Sequence, residues 1–361
     1  MDPRIQQHAA VLVDHSISVN PGDSVIIAAP GLAEDLVVAL YEKLGERGAR
    51  PTTIANDSRA HSAYMRTIDR EELTLNEAQL AALKQADALI SIRAGENSFE
   101  NSDIDSKKTM VDQQVNKPLS EEVRRTRWVV TQFPAPGNAQ LAEMSTGAYE
   151  EFVYSAVNKD WDAQREHQQQ MVDLLNEADE VRIRSGDATE LSMSIEGMVA
   201  ANDFGENNLP GGEVFTAPVP DSVEGTVLFD MPLLAQGREV QGVWLQFEDG
   251  EVVDYSAEKN QEILDAVLDT DDGARRLGEL GIGMNRDIDR FTSNILFDEK
   301  MGDTIHLALG KAMEKNVPDG RKGNESAVHL DMLVDMSEDS TIELDGDVVQ
   351  RNGTFVFEDD F

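Results

Sequence analysis

Up to residue 135 the chain alternates helix-like and strand-like segments, and beyond 180 it strings together short strand-like runs. This change of texture restricts the fold more than any other feature. Asn20-Pro21-Gly22-Asp23 is a turn cluster, and SVIIAA (24–29) has strand character until Pro30-Gly31 stops it. LAEDLVVALYEKLGERGA (32–49) spaces its apolar residues as a helix does and closes at Gly48. PTTIAND, ALISIRA and RWVVTQF (127–133) are further strand segments separated by helical stretches. Such alternation predicts a parallel sheet with helices on its faces. Residues 147–178, including WDAQREHQQQMVDLLNEA, predict one or two long helices.

After residue 180 the segments EVRIRSG, ELSMSIEG, GTVLFD, GVWLQFEDGEVVDYS and STIELDGDVVQRNG predict strands. Two of them carry a hairpin signal, Asp249-Gly250 and Asp345-Gly346, between strand-like flanks. A chain of 361 residues, 40% hydrophobic, can build two cores. The expectation is an α/β N-terminal domain (1–178) with a mainly parallel sheet. An α+β C-terminal domain (179–361), rich in antiparallel strands, follows it.

Several chemistries are excluded at once. There is no cysteine, so disulfides, thiolate catalysis and cysteine-ligated metals are out. Any metal must be held by histidine and carboxylates. No apolar run reaches the roughly 18 residues of a membrane span. MDPRIQQHAAVLVDHS predicts an amphipathic helix rather than a secretory signal. The 69 acidic against 31 basic residues give a net charge of −38, which repels nucleic acid and anionic membranes. The acids are spread along the chain, so self-repulsion opposes compaction until salt screens it, with a Debye length of about 3 Å near 1 M. The reading is a cytoplasmic protein of a salt-accumulating organism; an ordinary acidic cytosolic protein is the blander one. The first strand is followed by AAPGLAED, which lacks both G-x-G-x-x-G and G-x-x-x-x-G-K-[ST], so a nucleotide site is not supported.

Four segments of the second domain set potential metal ligands beside small residues or turns: PGGEVFTAP (210–218), LGELGIGMN (277–285), DEKMGDTIHLALG (298–310) and SAVHLDMLVDM (326–336). In a strand, alternate side chains share a face. His329 and Asp331 then project together, while Val328, Leu330, Met332 and Val334 form an apolar face. The pair is spaced to grip a cation, or to make a structural His–Asp hydrogen bond. Likewise His306 shares its face with Ala308 and Gly310, opposite Ile305, Leu307 and Leu309; it suits a ligand or a satisfied core histidine. Glu213 follows two glycines and Glu279 lies between Gly278 and Gly281, which permit sharp turns and close approach. Taken singly, each is as compatible with a surface charge. Together, two histidines and three carboxylates suit zinc, cobalt or manganese. His8, His15, His61 and His167 lack comparable neighbours.

GGEVFTAP, ELGIGMN, DEK with TIHLALG, and HLD, in this order, resemble the M29 family of metallopeptidases, the thermophilic aminopeptidase T group. The similarity runs from the N-terminal helix and the NPGDSVII strand to the closing RNGTFVF. It implies a metal-dependent aminopeptidase with two divalent ions (zinc, cobalt or manganese), acting on peptides with a free N-terminus, and a homodimer. Glu213, Glu279, His306, His329 and Asp331 correspond to the family's metal ligands, with Glu279 as the shared carboxylate. Glu213 and Glu279 are also the candidates for catalytic proton transfer. Glu299 is a further metal-ligand candidate or a salt-bridge partner. One position departs from the pattern: seven residues after His306, where the family carries tyrosine, stands Met313.

Two rival readings remain at this stage. Met313 supports a catalytically impaired metal-binding homologue. Arg275, Arg276, Lys300 and Lys311 near the motifs would suit a dinuclear phosphoesterase, whose substrates are anionic.

Overall fold

The computed structural model describes residues 1–235, 238–359 and 361. Contacts divide them into two compact units, Met1–Lys159 with Gly205–Gly211, and Asp160–Phe204 with Gly212–Phe361.

The first unit is the expected α/β layer. Its strands β1 (Ser24–Ala29), β2 (Arg50–Ala55), β3 (Ala88–Arg93) and β4 (Arg127–Gln132) are parallel, in the order β2-β1-β3-β4, and Asn208–Leu209 adds to the β4 edge. Helix Glu34–Arg47 ends where Gly48 adopts a left-handed conformation (φ 71°), a stop that glycine makes without Cβ strain. The N-terminal segment is a helix, Pro3–Ala10, capped by the Asp2 carboxylate and continued by a π-helical turn over Val11–Ser16. The long 147–178 stretch resolves into two helices, Thr146–Val157 and Trp161–Glu177. The second starts where Asp160 accepts the amides of Asp162 and Ala163. Helix 161–177 groups with the second unit by its contacts, ahead of the expected boundary at 178. The reason is that Met171, Val172 and Leu175 belong to that unit's core.

The second unit packs two antiparallel sheets on one hydrophobic core. The larger has eight strands, in the order Glu251–Ser256, Val243–Glu248, Glu224–Phe229, Thr189–Ser194, Glu180–Ser185, Ser340–Leu344, Asp347–Arg351, Thr354–Phe355. Both Asp-Gly turns join strands as the sequence signals. Asp249 and Gly250 (φ 50° and 77°), and Asp345 and Gly346 (φ 49° and 90°), take positive φ at both central positions, the twist that favours two-residue hairpins. The smaller sheet has β5 (Ala201–Asp203), β6 (Glu213–Thr216), β7 (Leu277–Gly283), β8 (Thr304–Gly310) and β9 (His329–Asp335), in the order β9-β8-β7-β6-β5. Leu280, Ile282, Ile305, Leu307, Leu309, Met332 and Val334 send one face of this sheet into the shared core. The opposite face carries the polar cluster. Among the described residues no helix is long and apolar enough to cross a membrane.

Candidate metal centre

Strand register puts the polar residues in rows. Glu279 on β7 pairs with Ala308 on β8, and Ala308 pairs with Asp331 on β9, so the two carboxylates flank an alanine on one face. Directly paired residues in an antiparallel sheet point the same way. The next row holds Gly281 opposite His306, and Gly283 pairs with Glu213 of β6. A β-bulge between Leu277 and Glu279 shifts the β7 register, letting Leu277 join Leu280 in the core while Glu279 faces away. Gly281 matters by close approach: a Cβ there would overlap the imidazole of His306. Small residues thus make room for a ring between two acids.

The six residues singled out from sequence converge. His306 Nε2 lies 3.3 Å from Glu279 Oε1 and 3.4 Å from Glu213 Oε2. His329 Nε2 lies 3.4 Å from Asp331 Oδ1 and 3.9 Å from Glu279 Oε2. Glu279 therefore stands between the two histidines and offers one oxygen to each. Glu299 enters through Lys300, whose ammonium pairs with it and also sits 3.3 Å from Glu213 Oε1. His329 Nδ1 is 2.9 Å from the Lys311 carbonyl, which can only accept, so Nδ1 carries a proton and Nε2 faces the acids.

Burial makes this density of charge unusual. Glu213, Glu279 and His306 are buried, and the Lys300 side chain is 0% exposed. Isolated charges there would be strongly unfavourable without partners. Burial lowers the His306 pKa, but Glu279, Glu213 and Asp331 outweigh it and push it up to about 9. Burial likewise opposes His329, yet Asp331 and Glu279 raise it to about 10. Burial would lift Asp331, but His329, His306 and Lys300 hold it below the usual carboxylate range. Glu299 is pushed up by burial, with Glu213 and Asp331 adding to the push and Lys300 opposing it.

Three carboxylate oxygens test whether the pocket fits a metal. Glu213 Oε2, Glu279 Oε2 and Asp331 Oδ1 are buried with no hydrogen-bond partner. Buried polar atoms are rarely left so. Glu279, His306 and Asp331 each offer a donor atom, all within 4.8 Å of one another; among the described residues this is the one such group of three. Nitrogen and carboxylate oxygen at this spacing fit a divalent cation of the zinc, cobalt or manganese kind.

Surrounding elements hold the cluster still. Gln168, fully buried on helix 161–177, donates from Nε2 to the carbonyls of Asp203 (3.0 Å) and Glu213 (2.9 Å), fixing the start of β6. Asp298 accepts the amide and hydroxyl of Thr292 (2.8 and 2.7 Å) and the amide of Asn294 (2.8 Å), which anchors the turn leading to Glu299 and Lys300. Burial pushes the Asp298 carboxyl up to about 7 against those bonds. None of these supports was foreseen from sequence. The Asp-Glu-Lys run was the one available hint, since adjacent opposite charges become informative only once buried.

The other basic residues near the motifs are engaged elsewhere. Arg275 pairs with Asp269, Arg276 with Glu251 and Lys311 with Glu314. Lys300 alone reaches the cluster, and two carboxylates already neutralise it. Met313 is 39% exposed, just ahead of the short turn Glu314–Asn316.

The sequence matches the family described as thermophilic metalloprotease (M29) over residues 1–355. It is 29% identical to aminopeptidase 2 of Geobacillus stearothermophilus, across 99% of this chain and 98% of that protein. It is also 29% identical to aminopeptidase T of Thermus thermophilus, across 97% and 95%. The solved structure of wild-type AmpT from Thermus thermophilus superposes with a TM-score of 0.88 at 28% identity, covering 98% of this chain and 99% of that one. A 2,5-dihydroxypyridine dioxygenase from Pseudomonas putida shares the fold alone, with a TM-score of 0.62 at 18% identity over 99% and 97% of the two chains.

Proposed function

The chain belongs to the M29 family of thermophilic metalloproteases and is a metallo-aminopeptidase, and from that premise we propose that it removes N-terminal residues at a two-metal centre held by Glu213, Glu279, His306, His329 and Asp331. The observation that carries this reading is the group Glu279, His306 and Asp331, whose ligand atoms lie within 4.8 Å of one another, together with buried carboxylate oxygens of Glu213, Glu279 and Asp331 that have no hydrogen-bond partner. Divalent ions bound there would supply Lewis acidity toward the scissile carbonyl and a water acidified toward neutrality.

The chain's own residues account for the rest. Glu279, with one oxygen toward each histidine, is the carboxylate that two ions held by those histidines would share. His329 presents Nε2 because its Nδ1 proton is given to the Lys311 carbonyl, the kind of outer contact that fixes a ligand's orientation. Glu299 is committed to Lys300, which favours a charge-balancing role over ligation. The density of carboxylates suits a cationic α-amine, so a peptide with a free N-terminus is the substrate that matches in charge. Glu213 and Glu279 remain the candidates to accept a proton and pass it to the leaving amine, provided ligation leaves one of their oxygens free.

The test pairs metal analysis with substrates. Native protein assayed in molar KCl should contain divalent metal, cleave peptides with a free amine, and leave N-acetylated ones intact. Full activity after chelation, or equal cleavage of blocked peptides, would sink the proposal.

A further inference from the structure

Among the described residues Lys300 is the one lysine or arginine that is buried, and it lies inside the proposed metal centre. Its backbone is pinned: its amide donates to the Phe297 carbonyl (2.9 Å) and its carbonyl accepts the Asn285 amide (2.9 Å). The side chain itself is 0% exposed, so packing confines the ammonium. It pairs with Glu299 and lies 3.3 Å from Glu213 Oε1, and Asp203 adds a further attraction. Glu213 is divided between two duties. Oε1 meets the ammonium, while Oε2 is turned to His306 at 3.4 Å and has no hydrogen-bond partner.

We propose that Lys300 is the internal counter-charge of the metal centre, holding Glu213 by one oxygen and drawing Glu299 away from the ions. This deepens the two-metal reading above and rests on it. The charge tally supports it. The carboxyl groups of Glu213, Glu299, Asp203 and Asp331 all interact with the single Lys300 ammonium, so acids outnumber the cation there. Divalent ions held by these residues would offset more of the negative charge that Lys300 leaves. It is a positioning residue, because it acts through Glu213 and Glu299 rather than on substrate.

The role separates from plain structural support by the effect of metal on stability. Removing a permanent cation leaves adjacent buried carboxylates uncompensated, and bound ions make up part of that loss. Melting temperatures are measured in molar KCl for protein stripped with EDTA and for protein reloaded with zinc or cobalt chloride. Lys300→Met should lower the stripped melting temperature by roughly 10 °C and the loaded one by less than half of that. Lys300→Arg, which retains the charge, should keep both values near wild type. Lys300→Met with Glu299→Gln removes a charge of each sign and should regain most of the stripped-form loss.

Equal losses in stripped and loaded protein, or no loss in either, overturn the proposal. Should Lys300→Met alone give no folded stripped protein, the double variant decides. A stripped melting temperature within about 3 °C of wild type supports the counter-charge, and a double variant no more stable than the single one overturns it. If wild type itself shows no shift with zinc or cobalt, the metal reading fails and not merely the role of Lys300.

Discussion

His8 in the first unit and His306 in the second are both sealed from solvent, yet their protons behave in opposite ways. His8 sits on the N-terminal helix with Thr131 as its polar neighbour, 2.8 Å from Nε2. The Thr131 hydroxyl donates to the Leu209 carbonyl, so it must accept from His8, which fixes the proton on Nε2. With no charge to compensate, burial drives the His8 pKa down to about 3. His306 faces Glu279, Glu213 and Asp331, and despite equal burial its pKa rises to about 9. Burial alone does not set a histidine's charge; what it is buried against does. The first environment is a neutral, packed core. The second is built to hold positive charge, supplied by protons or by metal.

The sharpest way to break the comparison is Glu279→Gln. If Glu279 is the centre of the charged pocket, hydrolysis of aminoacyl p-nitroanilides should fall by at least about 10³-fold with the circular dichroism spectrum kept. Undiminished turnover would remove it from the centre.

Next comes the proton count. If His306 and His329 hold metal as proposed, it must displace the protons that the carboxylates draw onto them. Both folded pKa values lie above the ordinary one near 6.5, so without metal their stabilisation is full below about 6.5 and is lost as pH rises through about 9 to 10. Zinc titration at pH 7 in buffers of different ionisation enthalpy should therefore release close to one proton per histidine. Uptake without proton release would contradict the raised values.

A smaller effect concerns His8, where the sign reverses. Its folded pKa is depressed, so its contribution is present above about 6.5 and is lost as pH falls toward 3. Between pH 7 and 5 this amounts to about 2 kcal/mol. Urea denaturation of His8→Gln at the two pH values should show a slope reduced by that amount. An unchanged slope would mean His8 titrates normally.

The smallest expected effect distinguishes surface from interior. Raising KCl from low to molar concentration should lift the melting temperature by a few degrees, because screening relieves repulsion within a surface of net charge −38. Proton release on metal binding should barely move, since buried pairs are poorly screened. A melting temperature indifferent to salt would count against the salt-adapted reading of the composition.

Much of the site was legible in advance because strand alternation is a local property. The period of two in HLDMLVD places His329 and Asp331 on one face and Met332 and Val334 in the core, as the structure has them. The Asp-Gly hairpins were equally local. The grouping of helix 161–177 with the second unit was not, because it depends on which core receives Met171, Val172 and Leu175. Lys300 was legible only as a charge near the motifs, and its burial against Glu213 and Glu299 depends on how the 298–303 turn folds back beside β7.

The sequence by itself determined the two textures of fold, the absence of thiol chemistry, and which side chains could hold a metal. These depend on residue type and on periods of two and 3.6 residues, which the chain carries locally. Only the tertiary structure decided that Gly281 makes room for the His306 ring, that Glu279 stands between two histidines, and that a buried lysine lies against Glu213 and Glu299. Those facts arise from strand register and burial, where residues far apart in sequence fix one another's distances and charges.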